Sequence, residues 1–247
     1  MKMMRRITWI GISILTMVSL SVSGQQNFAS ISFGTSMPLN DYAKTGDLSS
    51  SGYAKTGGTI KFDGAYFPGS YLGIGGSFSF GSNYAQKDSL VQDMVSYMEE
   101  NATSIIDIPE DAEIIYGSGF WNYINLFIGP HFSIRVSQKL YFDIRGLAGL
   151  TVLRAPDQDL RINFDETSIY TNASGSKLGF GFTAGGGLRI NLNSDLALKL
   201  SADYFQSKAK FVYTFDLFRD VADEVPPLDA EFYVQTVELT IGLAYAF

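Results

Sequence analysis

Over its last ten residues, Glu238 to Phe247, the chain alternates without a break: Leu239, Ile241, Leu243, Tyr245 and Phe247 fall on one side, Thr240, Gly242, Ala244 and Ala246 on the other. Successive side chains of a strand point to opposite faces, so this strand has one greasy face and one small or polar face. The same period of two recurs in seven earlier segments: Phe28 to Met37, Lys55 to Phe67, Tyr71 to Gly81, Phe120 to Phe132, a fifth through Phe142 to Val152, Leu178 to Leu192, and Leu196 to Phe205. Eight strands with no long apolar helix among them predict an all-β fold.

The polarity of the two faces separates a soluble barrel from a membrane one. A lipocalin-like barrel would point its apolar residues inward and its polar ones outward. Here the apolar sets, such as Ile60, Phe62 and Tyr66 or Phe180, Phe182 and Leu188, lie opposite sets that contain small or charged residues. Small and charged residues inside with apolar residues outside is the pattern of a transmembrane barrel, and an even strand count fits its closure. Connections alternate short and long. Tight turns fall near residues 69, 137 and 193, and long excursions at 38–54, 82–119, 154–177 and 206–232. Aromatics gather near strand ends, with Trp121, Tyr204 and Tyr233 toward the long loops and Tyr66, Tyr71, Tyr141, Phe142 and Phe247 toward the turns, which predicts two girdles. The expectation is an eight-stranded antiparallel up-and-down transmembrane β-barrel with three short periplasmic turns and four long outer loops.

The beginning of the chain agrees with that address. Lys2, Arg5 and Arg6 precede an apolar run from Ile7 to Val22 and the small residues Ser21 to Gly24. The run is shorter than the ~20 residues a membrane anchor needs, so 1–24 reads as a secretory signal peptide cleaved after Gly24, with 25–247 the barrel. The chain has no cysteine, which closes the lipoprotein route, disulfides and thiolate chemistry. Removing the three leader bases leaves 15 basic residues against 25 acids, a formal charge of about −10. Nucleic acid is therefore not an expected partner.

The chain resembles the small outer-membrane barrels typified by the OmpA and OmpX transmembrane domains, particularly those of Bacteroidota. Gly34-Thr35-Ser36-Met37-Pro38-Leu39-Asn40-Asp41-Tyr42 and Ser51 to Gly57 look like that group's first loop, and Leu126-Phe127-Ile128-Gly129-Pro130 and Gly242 to Phe247 also match. Thr240, Gly242, Tyr245 and Phe247 are similar to the C-terminal signal that such barrels present to the barrel-assembly machinery. The resemblance implies the Gram-negative outer membrane as location, with outer-membrane lipid and lipopolysaccharide as surroundings. It implies a fold and an address, not an activity.

Eight charged residues have inward parity: Lys61, Asp63, Asp143, Arg145, Arg189, Lys199, Asp203 and Glu238, four of each sign. A slip of one residue would expose them to lipid, at about 2 to 4 kcal/mol for each Arg or Lys near the midplane. Counted from the turns they fall into two self-neutralising layers, Asp63, Asp143, Arg189 and Lys199 below, Lys61, Arg145, Asp203 and Glu238 above. Ion pairs filling the lumen are expected ahead of an ion or solute path, since about eight strands enclose only enough space for side chains.

Enzyme chemistry is not expected, because His131 is the only histidine and falls near a periplasmic turn. No cofactor or metal site is expected, Asp157-Gln158-Asp159 being too short for calcium. Twenty of the 25 acids lie in the four excursions, forming an acidic crown. Ser89 and Gln92 make a capping box before Leu90, Val91, Met94, Val95 and Met98, which predicts a short amphipathic helix up to Asn101. The loops at 82–119 and 206–232 are the expected seats of a protein partner. The functional expectation is a non-enzymatic envelope and surface-interaction barrel. The alternatives are a narrow passive pore or a barrel component of a secretion or gliding assembly.

Overall fold

The computed structural model describes residues 27–69, 71–101, 113–156, 158–164, 167–173, 176–216 and 226–247. The expected leader 1–24 and its cleavage point lie outside the described residues. Eight strands close a ring: β1 (Phe28–Pro38), β2 (Gly57–Tyr66), β3 (Leu72–Tyr84), β5 (Phe120–Arg135), β6 (Leu140–Arg154), β9 (Ser176–Asn191), β10 (Leu196–Asp216) and β11 (Leu228–Ala246). Each pairs antiparallel with its neighbour in chain order, and β11 returns to β1 from Phe28↔Ala246 to Pro38↔Thr236. Closure leaves no barrel edge unpaired, which a lipid environment demands because it supplies no hydrogen-bond partners. Among the described residues no helix is long and apolar enough to cross a membrane.

The alternation read from the sequence governs which side of the wall each residue occupies. On β1, Ile31 and Phe33 face outward while Ser32 and Ser36 are buried inside. On β10, Leu200 faces outward while Lys199, Ser201 and Asp203 are buried. The ladder between β5 and β6 runs from Asn122↔Arg154 to Ile128↔Ala148 and resumes at His131↔Arg145. The interruption falls at Gly129-Pro130, where Pro130 lacks a donor for the ladder. The β5–β6 turn closes with Val136 N–H donating to Leu140 O (2.8 Å), and the β9–β10 turn with Leu192 N–H donating to Leu196 O (2.8 Å).

The outer side is more structured than excursion lengths alone suggest. Most of the segment 206–232 is strand, because β10 and β11 stay paired from Gln206↔Gln235 up to Tyr213↔Leu228. Three further strands, β4 (Glu113–Ser118), β7 (Gln158–Phe164) and β8 (Thr167–Ala173), join the outer end of β10 in the order β10-β8-β7-β4. The second loop carries helix α1 (Lys87–Asn101), which starts three residues before the Leu90 that the capping pattern indicates. The first loop, between β1 and β2, folds back over the barrel mouth through a 3₁₀ turn at Asn40–Tyr42.

Candidate functional site in the barrel lumen

All eight inward charges are buried, Asp63 being the most accessible at 7%. Their pairing follows from register. Lys199 stands opposite Arg189 across β9 and β10, and Asp203 opposite Glu238 across β10 and β11. Like charges directly opposite destabilise a ladder, so the neutralising partner lies elsewhere: across the lumen for Lys61, Arg145 and Lys199, and diagonally on the neighbouring strand β6 for Arg189. Lys61 on β2 donates to Asp203 Oδ2 (2.8 Å) and pairs with Glu238 Oε2 (2.7 Å). Arg145 on β6 forks onto Asp203, Nε to Oδ1 at 2.9 Å and Nη2 to Oδ2 at 2.5 Å, while Nη1 reaches Asp63 Oδ2 at 3.1 Å. Lys199 pairs with Asp63, and Ser30 Oγ donates to Asp63 Oδ1 at 2.9 Å.

The two layers expected from counting therefore are not separate. Arg145 counts as an upper residue yet holds both an upper and a lower carboxylate, because a guanidinium can donate from several nitrogens at once. The remaining lower pair stands apart. Arg189 donates Nε to Asp143 Oδ2 (2.7 Å) and Nη2 to Asp143 Oδ1 (3.2 Å) and to Ser133 Oγ (3.0 Å). Its guanidinium lies 4.0 Å from the Phe28 ring centroid and 5.0 Å from that of Tyr141. Tyr141 thus faces the lumen, not the membrane girdle: it shares inward parity with Asp143.

Beside this pair, His131 is buried between the edges of Phe28 and Phe67, with ring centroids 5.5 and 5.6 Å away and Asp143 Oδ1 3.8 Å from Nε2. Phe28, Ala65, Phe67, Ala197 and Ala244 make a small apolar seal at this end. Among the described residues no three or more His, Asp or Glu side chains gather as a metal-ligand set.

Above the ions the lumen changes character. Tyr123 marks the boundary: its hydroxyl donates to Glu238 Oε1 (2.8 Å) and meets Ser36 Oγ (2.8 Å), and its ring stacks on Phe205 with centroids 5.0 Å apart. Gly81 makes this fit, since a Cβ there would lie 2.0 Å from Tyr123 Cζ. Beyond it Tyr42, Trp121, Phe205, Phe211 and Phe232 form one buried cluster. Trp121 is only 2% exposed, so it fills the lumen instead of joining the outer girdle. Its Nε1 donates to Gly52 O (2.7 Å), strapping the first loop across the mouth. Burial pushes the Tyr42 phenol well above its usual pKa.

The first loop is in turn braced by α1, which buries Leu90, Met94 and Met98. Asp93 on the helix accepts from Gly46 N–H (2.8 Å) and from the Tyr53 hydroxyl. Tyr53, buried, adopts φ 52°, a left-handed conformation uncommon for an aromatic residue. Nearby, hydrogen bonds from Ser49 and Ser50 hold the Asp47 carboxyl below the usual carboxylate range.

The aromatic cluster has no counterpart among the sequence expectations, although Tyr123, Phe127, Leu147, Leu153, Phe205, Phe211 and Phe232 all share the inward parity of the charges. Of the C-terminal set, Thr240 and Gly242 face inward, and a Cβ on Gly242 would lie 2.1 Å from Ile31 O. Tyr245 and Phe247 face outward with stacked rings 6.5 Å apart, and Phe247 N–H donates to Asn27 O at 3.1 Å.

Residues 12–247 match the family model of the outer membrane protein beta-barrel domain. No curated protein sequence matches the chain. Among solved structures, the outer membrane protein OprG from Pseudomonas aeruginosa is similar at 12% identity and TM-score 0.50, over 90% of this chain and 95% of that one. The attachment invasion locus protein Ail of Yersinia pestis is similar at 15% identity and TM-score 0.42, over 90% and 99%. The outer membrane protease OmpT from Escherichia coli is similar at 11% identity and TM-score 0.48, over 92% and 99%.

Proposed function

The chain belongs to the outer membrane beta-barrel domain family, and from that premise we propose that it is a closed, non-enzymatic barrel of the Gram-negative outer membrane that acts at the cell surface through its outer loops. The observation that carries this reading is the double filling of the lumen. An ionic network occupies its middle, and rings of Tyr42, Trp121, Phe205, Phe211 and Phe232 occupy its outer end beneath the first loop. A barrel filled in this way offers partners its crown: α1 braced on the first loop, the β10–β11 extension, and the added strands β8, β7 and β4. The segments 82–119 and 206–232 supply much of that crown and are the proposed seats of a protein partner. The buried position of His131 between two phenyl rings supports the absence of catalysis.

One observation favours the pore as a second reading. Ser32, Thr151, Thr236 and Thr240 hydroxyls and Asn125 Oδ1 are buried on the lumen wall without a protein partner. Buried polar groups of this kind are met by ordered water, and water along the wall is the start of a conduction path. Single-channel recording on the purified chain separates the two. The closed barrel gives no steady conductance in the parent protein and a small one after Trp121→Ala combined with Arg145→Ala; a steady parent conductance that changes on substituting Arg145 or Arg189 overturns it.

A further inference from the structure

Tyr42 is the one ring of the outer cluster that the first loop supplies, the others standing on barrel strands. It is fully buried, while residues 44–47 of the same loop are exposed. Its ring lies flat against Phe232, with centroids 6.5 Å apart and 19° between the planes, and meets Trp121 edge-on at 5.8 Å. Its hydroxyl donates to Asn83 Oδ1 at 3.5 Å, a long hydrogen bond. Two aromatic walls and one amide oxygen thus make a slot with the shape and polarity of a phenol. Tyr123 and the ions it bonds to close the slot from below.

The segment that carries Tyr42 is built as one body on two hinges. Inside it, Gly52 N–H donates to Asp41 O (2.8 Å) and Tyr53 N–H to Lys44 O (3.0 Å). It is tied down by Trp121 Nε1 on Gly52 O (2.7 Å), by Glu231 N–H on Ser49 O (2.8 Å), and by Asp93 of α1, which accepts from Gly46 N–H (2.8 Å) and from the Tyr53 hydroxyl. Among the described residues, Asn40 (φ 49°) and Tyr53 (φ 52°) are the only non-glycine residues with positive φ, and they bound the segment. Asn takes that conformation readily, but in an aromatic residue it is strained and persists only where neighbours hold it. The closed position therefore stores strain at the Tyr53 hinge, and Asp93 is the latch against its release. The fit beneath is tight as well: a Cβ on Gly52 would lie 2.7 Å from Tyr42 Cδ2.

We propose that the segment 40–53 is a lid and Tyr42 an internal ligand: when the lid lifts, the slot between Trp121 and Phe232 takes a small phenolic molecule whose ring replaces that of Tyr42 and whose hydroxyl donates to Asn83. The stacked and edge-on walls select a flat aromatic ring, the amide oxygen selects a hydroxyl, and the floor at Tyr123 limits the size. Binding is coupled to opening, because the apparent affinity is the intrinsic one reduced by the fraction of molecules with the lid lifted. Whatever loosens the lid therefore tightens the ligand. The slot is blind, so it adds a ligand site to a closed barrel and is separate from what the crown binds.

The test titrates the full chain in detergent with para-cresol, the tyrosine side chain as a free molecule; its partition into detergent is common to all variants and cancels between them. Trp9→Phe leaves Trp121, a wall of the slot, as the sole tryptophan, and its fluorescence reports binding. Asp93→Ala removes a charged acceptor from the lid, worth about tenfold or more in the open fraction, so para-cresol binds at least about tenfold tighter than to the parent. Gly52→Ala, which sets a methyl group against the Tyr42 ring, tightens it too. Methylcyclohexanol, of similar size but without a π face, binds Asp93→Ala about tenfold more weakly than para-cresol does. In the parent, added para-cresol speeds amide hydrogen exchange across 40–53, the opposite of what a ligand resting on a closed loop does. Unchanged affinity in both lid variants overturns the proposal, and so does binding that leaves first-loop exchange unchanged or slower, or methylcyclohexanol binding as tightly as para-cresol. Heat-modifiable gel migration checks the folding of each variant, and should one lid variant not fold, the other decides.

Discussion

The middle of the lumen is held by ions and its outer end by rings, and the two regions solve the same space-filling problem under different rules. In the ionic middle each group has a required partner. Lys61 and Asp203, 142 residues apart, must meet across the lumen because neither has a counter-ion beside it on the wall: Asp203 stands next to Glu238 and Gly185, Lys61 next to Ser32 and Ser79. Such contacts fix which strand faces which, yet their net stabilisation is small, since desolvating each ion offsets the attraction. In the outer cluster, Trp121 touches Tyr42, Phe211 and Phe232 with centroids 5.3 to 5.8 Å apart and no partner is unique. Apolar burial there stabilises without directional demands. The middle therefore specifies the barrel and the outer end seals it.

The sharpest way to break this comparison is to remove one ion. Asp203→Ala takes one carboxylate from both Lys61, which keeps Glu238, and Arg145, which keeps Asp63, and leaves the buried network with an excess cation, so the expected loss of unfolding free energy is about 3 to 5 kcal/mol. Chemical denaturation of the barrel in detergent measures it. Adding Arg145→Met to that variant removes the excess cation and restores the charge balance of the network, so the double variant should recover part of the loss. A double variant as unstable as the sum of the singles would mean that the middle, too, is held by generic packing.

Phe205 tests the other region, at a somewhat smaller cost. Its ring lies at the floor of the outer cluster against Tyr123 and Phe127, at 5.0 and 6.0 Å. Phe205→Ala should cost about 3 kcal/mol through the cavity left behind. Phe205→Leu should recover most of it, whereas no isosteric replacement should rescue Asp203. Denaturation midpoints of the two pairs, read side by side, sharpen the distinction between a region that needs identity and one that needs volume.

The same contrast explains what was legible beforehand. Wall parity is a one-dimensional property, so the strands and the eight inward charges follow from alternation alone. Pairing is three-dimensional: Arg145 and Asp63 meet because strand stagger brings a nominally upper cation down to a lower carboxylate. The outer cluster escaped for another reason. Tyr123, Phe205 and Phe232 have inward parity, but aromatic residues near strand ends also suit a lipid interface, and parity near a strand end is where register is hardest to count. For those reasons Trp121 and Tyr141 suit a girdle by sequence and fill the lumen in the structure. The first loop's part in the seal rests on Gly52 offering a carbonyl to Trp121 across 69 residues, a contact with no local sequence signature.

The smallest expected effect concerns Tyr42, where that loop enters the ring cluster. Burial raises its phenol above the ordinary tyrosine value of about 10. A group whose folded pKa lies above its unfolded one contributes stability that is complete below about pH 10 and is lost as pH rises through the folded value. Each pH unit between the two values is worth about 1.4 kcal/mol. Between pH 9 and 12 the parent should therefore lose more stability than Tyr42→Phe, which has no proton to release, while the two should respond alike between pH 6 and 9. Parallel losses across the alkaline range would place the Tyr42 hydroxyl in contact with water, and the outer seal would then be a loose cover above the ionic middle instead of a packed one.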